Sequence, residues 1–85
     1  MSDDTMVDGT RDTLADFMRE LLGIEEIGPG DLLLDLGGNS LIATMLANRV
    51  ELAWDFRPTM VELMTSTFAE LVALCTERRA DRERP

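Results

Sequence analysis

The stretch LLLDLGGNSLIATMLANRV, residues 32–50, sets two adjacent glycines, an asparagine and a serine directly ahead of a run with helical periodicity. Adjacent glycines relax the backbone where a partner must come close, and Asn39-Ser40 offers the short polar side chains that cap a helix start. A helix is therefore expected from Asn39 or Ser40 to about Ala53, with Ile42, Leu46, Val50 and Ala53 on one stripe and the aliphatic stem of Arg49 beside it. Ser40 then stands exposed at the helix N-terminus. Leu41, Thr44, Met45, Asn48 and Leu52 project away from the stripe, which leaves some apolar surface outside the core.

Upstream, Thr10 is the expected N-cap of a first helix carrying Leu14, Phe17, Met18, Leu21 and Leu22 at helical spacing, with Gly23 as its stop. The segment IEEIGPGDLLLDLGG that follows cannot be helix or strand interior at Gly28-Pro29-Gly30, so it reads as a long loop pinned to the core by Ile24, Ile27, Leu33, Leu34 and Leu36. Downstream, Arg57 before Pro58 is pushed toward extended backbone and breaks the chain out of helix two. Thr59 with Glu62 and Thr67 with Glu70 then read as capping boxes, each starting a helix. The first of these is short, its core share falling to Leu63 and to Met60 or Val61, with the remaining thioethers free to meet partners. The second carries Phe68, Leu71, Val72, Leu74 and Cys75 to about Arg79. The expected architecture is all-α, three longer helices and one short third helix around a single core, with a long loop between helices one and two.

The chain has 85 residues, 45% hydrophobic but only 5% aromatic, so one small domain with an aliphatic core is expected. Residues 1–9 read as a disordered lead-in, 10–79 as the domain and 80–85 as a charged tail. The absence of histidine rules out a Ser-His-Asp triad and most zinc sites, and the alternation of an EF-hand loop is missing from DLLLDLGG. No metal site is expected. The single cysteine, Cys75, cannot form an internal disulfide and reads as a small core residue. With no signal-peptide pattern and no apolar run near the roughly 18 residues of a membrane span, a cytoplasmic location is expected. A net charge of −9 sets the chain against nucleic acid and anionic membranes as partners.

The residues Asp35-Leu-Gly-Gly-Asn-Ser-Leu41, followed by Ile42-Ala43-Thr44, resemble the D-x-G-x-[DN]-S-L pattern of the acyl carrier superfamily, and within it the peptidyl carrier proteins of non-ribosomal peptide synthesis. The resemblance runs from about Thr10 to Arg79 and implies a four-helix bundle of the acyl carrier type. It implies that Ser40 bears a covalent 4'-phosphopantetheine arm, inside a motif formed by Asp35, Gly37, Gly38 and Asn39. It further implies that the arm holds an aminoacyl group as a thioester, with Asp35 matching the residue that helps position the transferase's metal and substrate. Gly37-Gly38, and a second helix charged only at Arg49 and Glu51, favour the peptidyl type over carriers of fatty acyl or polyketide units. The implied partners are a phosphopantetheinyl transferase, an adenylation enzyme, and tailoring or condensation enzymes, docking on Leu41, Met45, Met60 and Met64. A free-standing, monomeric carrier without catalysis of its own is expected. The reading from another class is a helical adaptor that lacks the arm.

Overall fold

Four helices form among the residues that the computed structural model describes, 9–83: α1 (Thr10–Leu22), α2 (Ser40–Trp54), α3 (Met60–Thr65) and α4 (Phe68–Glu83). The expected lead-in over 1–9 falls outside the described residues except for Gly9. Helix α4 continues past Arg79 to Glu83. No strand forms among the described residues, and the sole extended pairing is a bridge between Leu32 and Thr67.

The α1 cap corrects the expectation from sequence. Gly9, at φ 79°, takes the N-cap place, while Thr10 lies buried in the first turn. The Thr10 hydroxyl accepts from Arg79 Nη1 at 2.8 Å, so it serves a contact with α4 instead of its own helix start. Leu14, Ala15 and Met18 form the buried stripe of α1, with Phe17, Leu21 and Leu22 packed against it. Gly23 ends the helix in the left-handed region, its amide donating to the Arg19 carbonyl at 2.8 Å.

Helix α2 packs on both α1 and α3, and its buried residues are Ala43, Leu46, Ala47 and Val50. Leu46 and Val50 hold their expected places, while Ala43 and Ala47 take those expected of Ile42, which is half-buried, and Ala53, which is exposed. Two alanines four residues apart present little bulk, which lets neighbouring helices approach closely along that line. At the far end Asp55 adopts φ 64°, closing α2 with a hydrogen bond from its amide to the Glu51 carbonyl at 2.9 Å. In α3, Leu63 is buried and Met64 packs against the core, whereas Met60 and Val61 are exposed; neither of the two fills the core place expected of it. Phe68, Leu71 and Cys75 are the contribution of α4.

Arginines tie the bundle together from outside. Arg78 engages both carboxylate oxygens of Glu62, joining α4 to α3. That guanidinium, helped by the Thr59 amide at 2.9 Å, holds the Glu62 carboxyl down to about 2. Arg49 reaches Glu20 of α1 at 2.6 Å, and Arg79 lies 5.0 Å from the Trp54 ring centroid. Trp54 also stacks with Phe56 and meets Phe17, with centroids 6.3 and 6.0 Å away. These aromatics are packing residues.

The loop between α1 and α2 is anchored through its backbone. Asp31 Oδ2 accepts from the Gly28 amide at 2.7 Å and closes the Gly-Pro-Gly turn. The carbonyls of Asp31 and Pro29 then accept from the amides of Phe68 and Ala69, at 2.8 and 2.9 Å. Thr67 and Glu70 add a reciprocal capping box, with Thr67 N donating to Glu70 Oε1 at 2.8 Å and Glu70 N to Thr67 Oγ1 at 3.2 Å. Every amide that a helix start leaves without an intrahelical acceptor thus has a partner at the head of α4.

Candidate functional site

The site begins as a single helical turn at residues 32–36. Its end carries the paired bonds of a Schellman closure: Gly38 N donates to the Leu33 carbonyl at 2.9 Å and Gly37 N to the Leu34 carbonyl at 3.1 Å. That closure needs a left-handed residue, and Gly37 supplies it at φ 97°. Gly38 answers a different demand. A Cβ there would stand 2.6 Å from Leu33 Cγ and 2.8 Å from the Leu33 carbonyl oxygen. The close approach is to the chain's own buried Leu33, where the sequence alone suggests room for a partner. Leu33 is 1% exposed and pins the turn to the core, a burial worth about 1.5–3 kcal/mol. Leu34, expected as an anchor, is instead 52% exposed, because a single turn can bury only one of two adjacent leucines.

The turn delivers Asn39 in extended backbone, φ −154° and ψ −173°. Its Oδ1 accepts from the Ile42 amide at 2.9 Å, and its carbonyl accepts the first helical bond, from Ala43 N at 2.8 Å. Ser40 is the first residue of α2 and is exposed. The amides of Ser40 and Leu41 precede any acceptor within the helix, and the Asn39 side chain takes only that of Ile42. The positive end of the α2 dipole therefore opens at the Ser40 hydroxyl, with no acidic residue in the first turn to offset it. Asp35 is exposed on the preceding turn. Lacking any histidine, the chain brings no imidazole base to this hydroxyl.

Exposed apolar residues lie on α2, α3 and the preceding turn. Of the residues expected to dock partners, Leu41 is 67% exposed, Met45 39% and Met60 41%. Met64 differs, being half-buried and packed against the core. Val61, at 70%, and Leu34 add exposed apolar area that periodicity does not reveal, since a six-residue helix and a single turn are too short to show a stripe. The two charges of α2 are both engaged, Arg49 with Glu20 and Glu51 with Arg57 at 3.0 Å. No cluster of three His, Cys, Asp or Glu groups stands ready for a metal among the described residues, and none of their helices is long and apolar enough to cross a membrane. A separate apolar crevice of about 190 Å³ is bounded by Arg11, Ile27, Pro29, Phe68, Ala69 and Val72, and shares no residue with the Ser40 turn.

Comparison with curated proteins and with solved structures gives no match. Residues 12–75 match the family described as "Phosphopantetheine attachment site". That family carries a covalently attached 4'-phosphopantetheine group. Its carrier domains are modified by phosphopantetheinyl transferases, interact with catalytic partners, and are generally non-catalytic themselves. The all-α, four-helix architecture is that of the acyl carrier fold. Since the matched span takes in most of the chain, the turn from Leu32 to Gly38 and Ser40 itself, this chain belongs to the phosphopantetheine-attachment family within the acyl and peptidyl carrier superfamily.

Proposed function

We propose that this chain is a peptidyl carrier protein that bears 4'-phosphopantetheine on the Ser40 oxygen and acts in the cytoplasm without catalysis of its own. The observation that carries the reading is the placement of Ser40: exposed, first in α2, beside two amides that lack helical acceptors. These residues fit the group. The Ser40 and Leu41 amides, at the positive end of the helix, would hold the phosphodiester of the arm, a placement worth about 0.3–1 kcal/mol when exposed. Gly37 and Gly38 close the Schellman turn that leads into Ser40, and Asp35 is the acidic group carried on that turn. When bound, the group supplies a flexible arm whose terminal thiol holds an acyl group as a thioester. With no base in place, the hydroxyl depends on the transferase for its activation.

The aminoacyl specificity rests on the Gly37-Gly38 pair and on α2, whose two charges are paired and whose open face is Leu41, Met45 and Leu52. Such a face suits adenylation, condensation or tailoring enzymes with apolar docking surfaces. The test has two stages. Incubation with coenzyme A and a broad-specificity phosphopantetheinyl transferase adds the mass of one phosphopantetheine to the chain and none to Ser40→Ala; equal gain in both refutes the site. The arm-bearing protein is next offered to amino-acid adenylation enzymes and to malonyl transferases, and acceptance only from the latter makes it a carrier of polyketide or fatty acyl units.

A further inference from the structure

All eight cationic side chains of this chain are arginine; there is no lysine, histidine or tyrosine, and one cysteine. Some of these arginines use what only a guanidinium offers, as in the two-nitrogen grip of Arg78 on Glu62 and the stacking of Arg79 on Trp54. Others do not. Arg57 meets Asn48 and Glu51 through a single nitrogen, and Arg11 stands 3.8 Å from Asp12, both at exposed positions that an ammonium would serve. The two cations differ chemically: a guanidinium keeps its proton at any accessible pH, whereas lysine yields a free, nucleophilic amine. The only thiol, Cys75, is 1% exposed inside the core, and burial pushes it up to about 11. The hydroxyls have no imidazole to take their proton.

Resting on the reading that Ser40 holds the thiol arm, we propose that this chain is a carrier whose own side chains cannot take the acyl group from the arm. The loss it avoids is aminolysis. In that reaction the nitrogen of an ε-amine bonds to the thioester carbonyl carbon and the C–S bond breaks. The sulfur leaves as a thiolate and receives the proton that the nitrogen sheds. The resulting amide is permanent and strands the cargo on the carrier.

The test loads the full chain, Arg49→Lys and Met45→Lys with acetyl-phosphopantetheine, using acetyl-coenzyme A and a broad-specificity transferase. Positions 45 and 49 lie about 8 and about 14 Å along the helix axis from Ser40. After incubation, hydroxylamine cleaves thioesters and leaves amides, and intact mass with peptide mapping locates any acetyl group retained. The unsubstituted chain is expected to keep none on a side chain. The lysine variants keep a fraction that rises about tenfold per pH unit between about pH 7 and about pH 9, following the free amine. Side-chain acetylation of the unsubstituted chain overturns the inference, and so does its absence from both lysine variants when their circular dichroism matches the parent. Failure to acquire the arm mass at all is seen before any cargo is followed, and refutes the Ser40 reading together with this one.

Discussion

The two longest helices of this bundle begin differently. At α4, the amides of Thr67, Phe68, Ala69 and Glu70 are all taken, two by the capping box and two by carbonyls of the α1–α2 loop. At α2, Asn39 takes the Ile42 amide alone, and the amides of Ser40 and Leu41 have no acceptor within the helix beside an exposed residue 40. The same capping chemistry, applied in full, makes a structural joint and, applied in part, leaves two helix-start amides without an intrahelical acceptor. The loop that closes the head of α4 also ends in the turn that opens the head of α2.

The largest effect that sharpens this contrast is Ser40→Ala. Modification should vanish completely by intact mass, while the melting midpoint shifts by no more than the equivalent of about 0.5 kcal/mol, as for an exposed side chain free of core contacts. Retained modification would mean that the open helix end is not the receptor. Next comes Gly38→Ala, which forces a methyl onto Leu33; denaturant unfolding should show a loss of about 2 kcal/mol, within the range for overpacking. An unchanged midpoint would mean that the turn moves aside freely.

The joint between α3 and α4 is probed by Glu62→Gln. Because the folded-state carboxyl titrates at about 2 against a usual value of 4.5, its stabilisation is fully present above about pH 4.5 and is lost as the pH falls toward about 2. The parent should therefore lose stability across that window in denaturant titrations, and the variant should have a flatter acid limb. At neutral pH the variant should be weaker by about 1 kcal/mol, a modest figure because the Arg78 and Glu62 side chains are 38% and 26% exposed. The smallest effects compare the caps directly. Asn39→Ala and Thr67→Ala should each cost about 0.5–1 kcal/mol. Only Asn39→Ala should also slow the transferase reaction, and equal slowing by both would erase the distinction between receptor and joint.

Helix starts were legible in the sequence wherever one side chain satisfies a nearby amide, as at Asn39, Thr59 and Thr67, because such bonds are local. The all-α class and the exposure of Ser40 followed from the same local chemistry. Distant contacts were not legible. Thr10 fits a cap by its neighbours, yet Arg79, far away in sequence, claims its hydroxyl and leaves the cap to Gly9. The α2 stripe keeps Leu46 and Val50 but takes Ala43 and Ala47 in place of Ile42 and Ala53, because helix approach favours small residues and hydrophobicity alone ranks isoleucine above alanine. Leu33 and Leu34 look alike in sequence, and only the Schellman turn separates the buried one from the exposed one. The pairing of Pro29 and Asp31 carbonyls with the first amides of α4 left no trace in residue types, since the backbone makes it.

Trp54 is the last residue of the helix that Ser40 begins, and it is the chain's only tryptophan. A rigid helix of 15 residues separates the two by about 21 Å along its axis. The intrinsic emission of this protein thus comes from the end clasped by Arg79 and Phe56, and it follows the melting of the bundle. Grafting a group at the opposite end should leave that signal unchanged, so fluorescence offers a folding gauge that reads the same before and after modification.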